Sequence, residues 1–243
     1  KKIFSDKAYQ EKLLDKGYRL SSANSINIGR LVPQIVCYVY AYCRLLKSGE
    51  LKAGESLNVS VPTGNFGNIL AAYCAKRMGL PLGKLLCASN DNKVLTDFFR
   101  TGIYDKNRPF HVTTSPSMDI LISSNLERLL YFAGENAEEC KKLMEELKEK
   151  GKYRISEAME KELKDFYSGY GKEAEGSQSI FQTYKETGYV LDPHTAVAKV
   201  VADHYAYEQG RRDKCLVVST ASPYKFSQTV LKALKEPVPK DVF

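Results

Sequence analysis

A chain of 243 residues, 43% hydrophobic and 27% charged, has the makeup of an ordinary globular protein and can bury a sizeable core. No apolar run approaches the roughly 20 residues of a membrane span, and Lys1-Lys2-Ile3-Phe4-Ser5-Asp6 lacks a signal-peptide core. Thirty-six Lys and Arg against 29 Asp and Glu give a net charge of +7, but the cations are diluted among acids. That balance argues against nucleic-acid binding and for mild attraction of anionic small molecules.

In chain order, residues 7–16 read as a short helix. A longer helix is predicted from about Asn27 to Leu46, where Leu31, Ile35, Tyr38, Val39, Tyr42 and Leu45 fall at helical spacing and Pro33 sits in the first turns. Leu57–Val61 is a strand, Pro62–Gly67 a turn and Asn68–Met78 a helix stopped by Gly79. Lys84–Ser89 then reads as a strand and Asn92–Arg100 as a helix. A short strand is expected around Val112, and a helix over Asn125–Phe132. Residues 135–190, rich in Glu, Lys, Gly and Tyr, read as a mostly helical insertion with a loop near Ser168–Ser177. Thr195–Glu208 is a helix, Cys215–Ser219 a strand and Lys225–Leu234 a last helix. Alternating strands and helices predict an α/β fold, a parallel sheet flanked by helices. In such sheets ligands gather at the carboxyl ends of strands, and here those ends (Pro62–Asn65, Ser89–Asn92, Ser219–Ser222) are polar.

None of the six cysteines forms a CxxC, and they are expected as free, buried thiols of a reducing cytoplasm. Three scattered histidines give no metal-ligand spacing, so no metal site is expected.

The segment Val59-Ser60-Val61-Pro62-Thr63-Gly64-Asn65-Phe66-Gly67-Asn68 is the most informative. Two glycines three apart, between strand and helix, can turn successive backbone N–H groups into one concavity at the positive end of the next helix. A phosphate fits such a place, with Thr63, Asn65 and Asn68 as further donors. An ordinary turn before a helix explains the same residues equally well. The loop matches neither the Walker nor the dinucleotide fingerprint.

Ser60–Asn68 resembles the phosphate-cradling loop of the threonine synthase family, pyridoxal phosphate enzymes of the tryptophan synthase β-like fold. Four further segments are similar to the same family in the same order: Ser22–Arg30, Thr114–Ile120, Ser123–Arg128, and Ser219-Thr220-Ala221 with Pro223 and Lys225-Phe226. The resemblance runs from about Ile3 to Leu234. It implies the large domain of a fold-type II enzyme, carried by residues 21–134 and 191–243. Residues 1–20 would continue from an upstream part and 135–190 would be the insertion. It implies the lyase reaction of threonine biosynthesis: O-phospho-L-homoserine and water give L-threonine and phosphate, in the cytoplasm.

By the same resemblance Thr63, Gly64, Asn65, Phe66, Gly67 and Asn68 hold the phosphate of pyridoxal 5'-phosphate, and Thr220 faces its ring nitrogen. Asn24, Ser25, Asn27 and Arg30 are candidates for the substrate side, Arg30 because its fork can bind two phosphate oxygens. Asn24 and Ser25 could equally cap the helix that follows. Asp192-Pro193-His194-Thr195 resembles a helix start near the site. Ser222 stands where many members carry His before the proline, which weakens any role transferred to it.

The family's Schiff-base lysine lies upstream of the Ser22–Arg30 motif, and no lysine before Ser21 or at Lys225 takes that role. The chain is therefore expected to be a truncated, C-terminal portion, inactive alone, with the N-terminal half as partner. A half-protein that binds cofactor or phosphate, or a lyase for another phosphorylated amino acid, are the alternatives.

Overall fold

The computed structural model describes residues 3, 6–21, 23–210 and 213–239. Lys1, Lys2 and Ser22, all within segments discussed above, lie outside them. Helix α1 (Lys7–Leu14) buries no residue, while α2 (Ile28–Lys47) buries Leu31, Tyr38 and Tyr42. Then come β1 (Leu57–Pro62), α3 (Gly67–Arg77), β2 (Leu82–Ser89), α4 (Val94–Thr101) and the short β3 (Ile103–Asp105). A 3-10 turn (Pro116–Met118) precedes α5 (Leu126–Gly134), α6 (Ala137–Lys150), β4 (Lys152–Arg154), α7 (Glu157–Glu162) and β5 (Phe166–Tyr170). The chain continues through α8 (Glu173–Thr187), α9 (Pro193–Gln209), β6 (Cys215–Val217), a second 3-10 turn (Pro223–Phe226) and α10 (Ser227–Leu234).

Four parallel strands form the sheet in the order β5-β2-β1-β6. Side chains alternate across it. Leu85 and Cys87 join the core under α3 and α4, whereas Leu86 and Ala88 pack beneath α9 with Val197, Ala198 and Val201. Central β1 is buried along its whole length, and its two polar side chains are satisfied. Asn58 Oδ1 accepts from Lys84 N at 2.8 Å, and Ser60 Oγ donates to Ala198 O at 2.7 Å. The chain steps from β1 to β2 to β5, then returns over the opposite face to place β6 on the far side of β1. That reversal puts the switch point between β1 and β6, where a ligand crevice opens at the carboxyl ends.

Four expectations change. Residues 135–190 are not an insertion apart from the sheet: helices α6, α7 and α8 dominate them, but β5 is the edge strand beside β2. The expected loop near Ser168 is strand as far as Tyr170, because Gly169 is needed where α9 crosses; a Cβ there would stand 3.0 Å from Val201. Around Val112 there is no strand. The backbone N–H and C=O of His111 pair with the Asn92 side chain and the N–H of Thr113 with Asp119, so side chains replace the ladder. Finally, Cys87 and Cys140 are buried, but Cys37 and Cys43 lie exposed on α2, whose outer face is apolar.

Candidate functional site

The glycine loop follows β1 at the switch point. Thr63 N–H still pairs with Ala88 O at 2.9 Å, continuing the strand, and its hydroxyl donates to Val61 O at 2.7 Å. Thr63 therefore braces the loop with its side chain. Beyond it the backbone turns. Among the described residues, the N–H groups of Gly64, Asn65, Phe66, Gly67 and Asn68 have no acceptor. Five adjacent unmatched donors at the start of an 11-residue helix call for an anion.

Two features aim them. Phe66 takes the left-handed conformation (φ 65), uncommon for a bulky residue. Its ring is clamped in the core against Phe99 and Phe166, with centroids at 6.0 and 5.9 Å. Phe66 thus offers only its backbone to the loop. Gly64 passes so close to the 3-10 turn that a Cβ would stand 2.3 Å from Ser117 O.

The loop's carbonyls are tied outward. Ser123 Oγ donates to Gly64 O at 2.7 Å, and Asn65 O accepts from Asn125 N and Nδ2 at 3.1 and 2.8 Å. The fully buried Asn125 also donates to Ser25 O at 3.0 Å, and Arg128 Nη2 to Ile26 O at 2.7 Å. The Ser123–Arg128 segment, assigned no chemistry from its sequence, thus couples the loop to the turn before α2.

A cavity of about 330 Å³ opens over the loop, lined also by Ser25, Arg30, Gln34, Ser117 and Thr220. Among the described residues no Asp, Glu or Lys lines it, and its one charged side chain is Arg30. Donors without carboxylates suit a phosphate ester. Buried Tyr38 donates its hydroxyl to Asn68 Oδ1, leaving the Asn68 amide nitrogen as a further donor. Burial pushes the Tyr38 phenol well above its ordinary range, so it stays a donor. Burial also raises the Cys87 thiol to about 12, which removes it as a nucleophile.

Of the substrate-side candidates, Ser25 and Arg30 reach the cavity. Asn27 Oδ1 caps α2 by accepting from Gly29 N at 2.8 Å, and Asn24 Oδ1 accepts from Ile26 N at 3.1 Å. The second polar strand end plays another part. Asn90 and Asn92 are buried and bind Asp119 Oδ1 at 2.7 and 3.1 Å, propping the 111–119 segment behind the loop.

One arrangement was not foreseen. Asp192 caps α9 and binds His194 Nδ1 at 2.9 Å, while His194 Nε2 accepts from Ser117 N at 3.1 Å. These bonds assign the proton to Nδ1. Thr195 Oγ1 donates to Asp192 and lies 3.3 Å from Ser219 Oγ, next to Thr220. This string, buried at Asp192, His194 and Thr195, ties the turn behind Gly64 to the end of β6, the two walls of the cavity. Only side-chain contacts reveal it; a lone His in the sequence carries no such signal.

No family model matches the chain. It is 46% identical over 239 residues to human threonine synthase-like 1, covering 97% of this chain and 32% of that protein. It is 36% identical over 250 residues to threonine synthase of Saccharomyces cerevisiae, covering 96% of this chain and 47% of that one. The pyridoxal phosphate-bound crystal structure of threonine synthase from Brucella melitensis superposes with a TM-score of 0.86 at 38% identity, covering 98% of this chain and 49% of that chain. The chain thus spans about a third to half the length of the relatives it matches. Its architecture is that of the fold-type II pyridoxal phosphate enzymes.

Proposed function

We infer that this chain, a homologue of the threonine synthases over nearly all of its length, forms the cofactor-phosphate side of a pyridoxal phosphate lyase within a larger protein. The reaction is the conversion of O-phospho-L-homoserine and water to L-threonine and phosphate. The observation that carries this reading is the run of five unmatched N–H groups at the switch point, facing a cavity free of carboxylates.

Those N–H groups of residues 64–68 hold the cofactor phosphate. When bound, pyridoxal phosphate supplies an electron-withdrawing ring that stabilises carbanionic character in the substrate. Thr220, with a hydroxyl rather than a carboxylate, hydrogen-bonds the ring nitrogen without favouring its protonation. Arg30 binds the substrate phosphate and Ser25 supports it. Asn24 and Asn27 shape the turn that presents both. Among the described residues no lysine lines the cavity, and we assign the lysine that would anchor the cofactor to sequence outside these 243 residues. The 243 residues alone then have negligible turnover.

Borohydride reduction of the native gene product, followed by peptide mass spectrometry, tests this. A pyridoxyl-lysine outside residues 1–243 is expected; one at Lys225, or no pyridoxyl group at all, refutes the reading. A second reading is a lyase for another phosphorylated amino acid. Phosphate release from phosphohomoserine, compared with its close analogues, separates the two.

A further inference from the structure

His194 is buried and meets both walls of the cavity. On one side its Nε2 accepts from Ser117 N at 3.1 Å, and among the described residues it is the acceptor of that N–H. On the other its ring lies 4.8 Å from that of Phe226, in the 3-10 turn that follows Thr220. Beneath it, Nδ1 bonds Asp192 Oδ1 at 2.9 Å. Ser117 is the backstop of the glycine loop. Its carbonyl faces Gly64 so closely that no Cβ fits between them, and the Gly64 carbonyl is held from another side by Ser123 Oγ at 2.7 Å. Met118 anchors the same turn in the cluster under α9. Losing the Ser117 bond therefore frees one end of the turn without detaching the other.

We propose that His194 is a positioning residue for the cofactor: as the neutral Nδ1–H imidazole it holds Ser117 against Gly64, and proton uptake at Nε2 releases the turn and loosens the phosphate cradle. The proposal rests on the lyase reading above. Its sign separates it from a plain charge effect. An imidazolium near an anion site strengthens phosphate binding by Coulomb attraction. Here the new Nε2–H instead points at the Ser117 N–H, donor against donor, so acid weakens binding. The ionisable groups packed around the ring are few. Asp192, at the start of α9, is the one that bonds to it among the described residues. Lys225, from the second 3-10 turn, has its Nζ 5.7 Å from the Phe226 ring centroid. Glu173, at the start of α8, accepts from Thr114 N at 2.7 Å, and Asp119, beyond the first turn, is bound by Asn90, Asn92 and Thr113. From α10, apolar Val230 packs beside Phe226. The acidic neighbours are thus already engaged, leaving Nε2 as the acceptor for Ser117.

Two substitutions separate the two ring nitrogens. His194→Gln carries an amide oxygen near the place of Nε2 and does not titrate; His194→Asn replaces Nδ1 as donor to Asp192 and falls short of Ser117. Each would be made in the full-length product of the native gene, with affinity for pyridoxal 5'-phosphate measured by spectroscopic titration and Tm alongside. At neutral pH His194→Asn is expected to weaken binding about 10-fold and His194→Gln to stay within about 3-fold of the wild type, at similar Tm. Between about pH 8 and pH 5, where imidazoles titrate, the wild type should lose about 10-fold more affinity than His194→Gln, whose remaining slope reports every other group. Should either variant not fold, Ser117→Pro, which removes the donated N–H and leaves His194 in place, must show the neutral-pH loss; unchanged affinity in it overturns the proposal. Equal affinities of the Asn and Gln variants, or parallel pH slopes of the wild type and His194→Gln, overturn the proposal and leave the lyase reading intact. No binding by the wild type at any pH overturns both.

Discussion

Gly64 is the residue of the loop with least latitude, since any Cβ there meets the Ser117 carbonyl at 2.3 Å, whereas one on Gly67 meets the Asn125 amide at an ordinary 3.5 Å. Gly64→Ala is expected to weaken pyridoxal phosphate binding by the native protein at least ~10-fold, about 1.4 kcal/mol, and Gly67→Ala much less. Equal losses in a spectroscopic titration would remove Gly64 from the cradle.

Asp192 makes a different test. Burial alone would raise its carboxyl, but hydrogen bonds from His194 and Thr195 hold it below the usual carboxylate range. A depressed folded value means stabilisation that is complete above the unfolded pKa of about 3.9 and is lost as pH falls through the folded value. Asp192→Asn should therefore cost ~1–3 kcal/mol at neutral pH and flatten the acid limb of a Tm-versus-pH curve. An unchanged acid limb would count against this role. At this scale the sequence disclosed the loop, because glycine spacing is itself a backbone signal. It did not disclose the Asp192–His194–Ser117 string, whose members acquire meaning only when α9 and the 3-10 turn meet.

Among the elements, the long helices were legible because apolar periodicity and caps such as Asn27 and Asp192 mark them. Strand β5 was not. Phe166-Tyr167-Ser168-Gly169-Tyr170 has the glycine of a loop, and the charged helices around it suggested an added layer. The structure instead makes Phe166 a junction: its ring lies 4.9 Å from Phe99, 5.6 Å from Tyr73 and 5.9 Å from Phe66. Phe166→Ala should lower stability by ~3–5 kcal/mol through lost burial and the cavity it leaves. Because Phe66 loses part of its clamp, Phe166→Leu should weaken cofactor binding more than it lowers Tm. A separable insertion predicts neither effect, and calorimetry beside a binding titration distinguishes them.

For the molecule as a whole, α/β alternation in the sequence anticipated the parallel sheet, but the strand order that sets the crevice between β1 and β6 emerged only from the pairing. The helical spacing of Leu31, Ile35, Tyr38, Tyr42 and Leu45 marked the side of α2 that meets the core, whereas the apolar character of its opposite side emerged only from the exposure of Ile28, Val32, Val36 and Tyr40. That order of strands also governs when the site can exist. Asn58 pairs with Cys215, so the first strand of the sheet waits for its last one. During synthesis β1, β2 and β5 can assemble and set the glycine loop in place long before Thr220 emerges. Closure of the β1–β6 pair is a contact of very high sequence separation, and the slow entropic cost of such closure falls at the end of folding. A ligand that touches both loop and Thr220 then acts as a late fastener, and its presence should slow unfolding far more than it speeds folding.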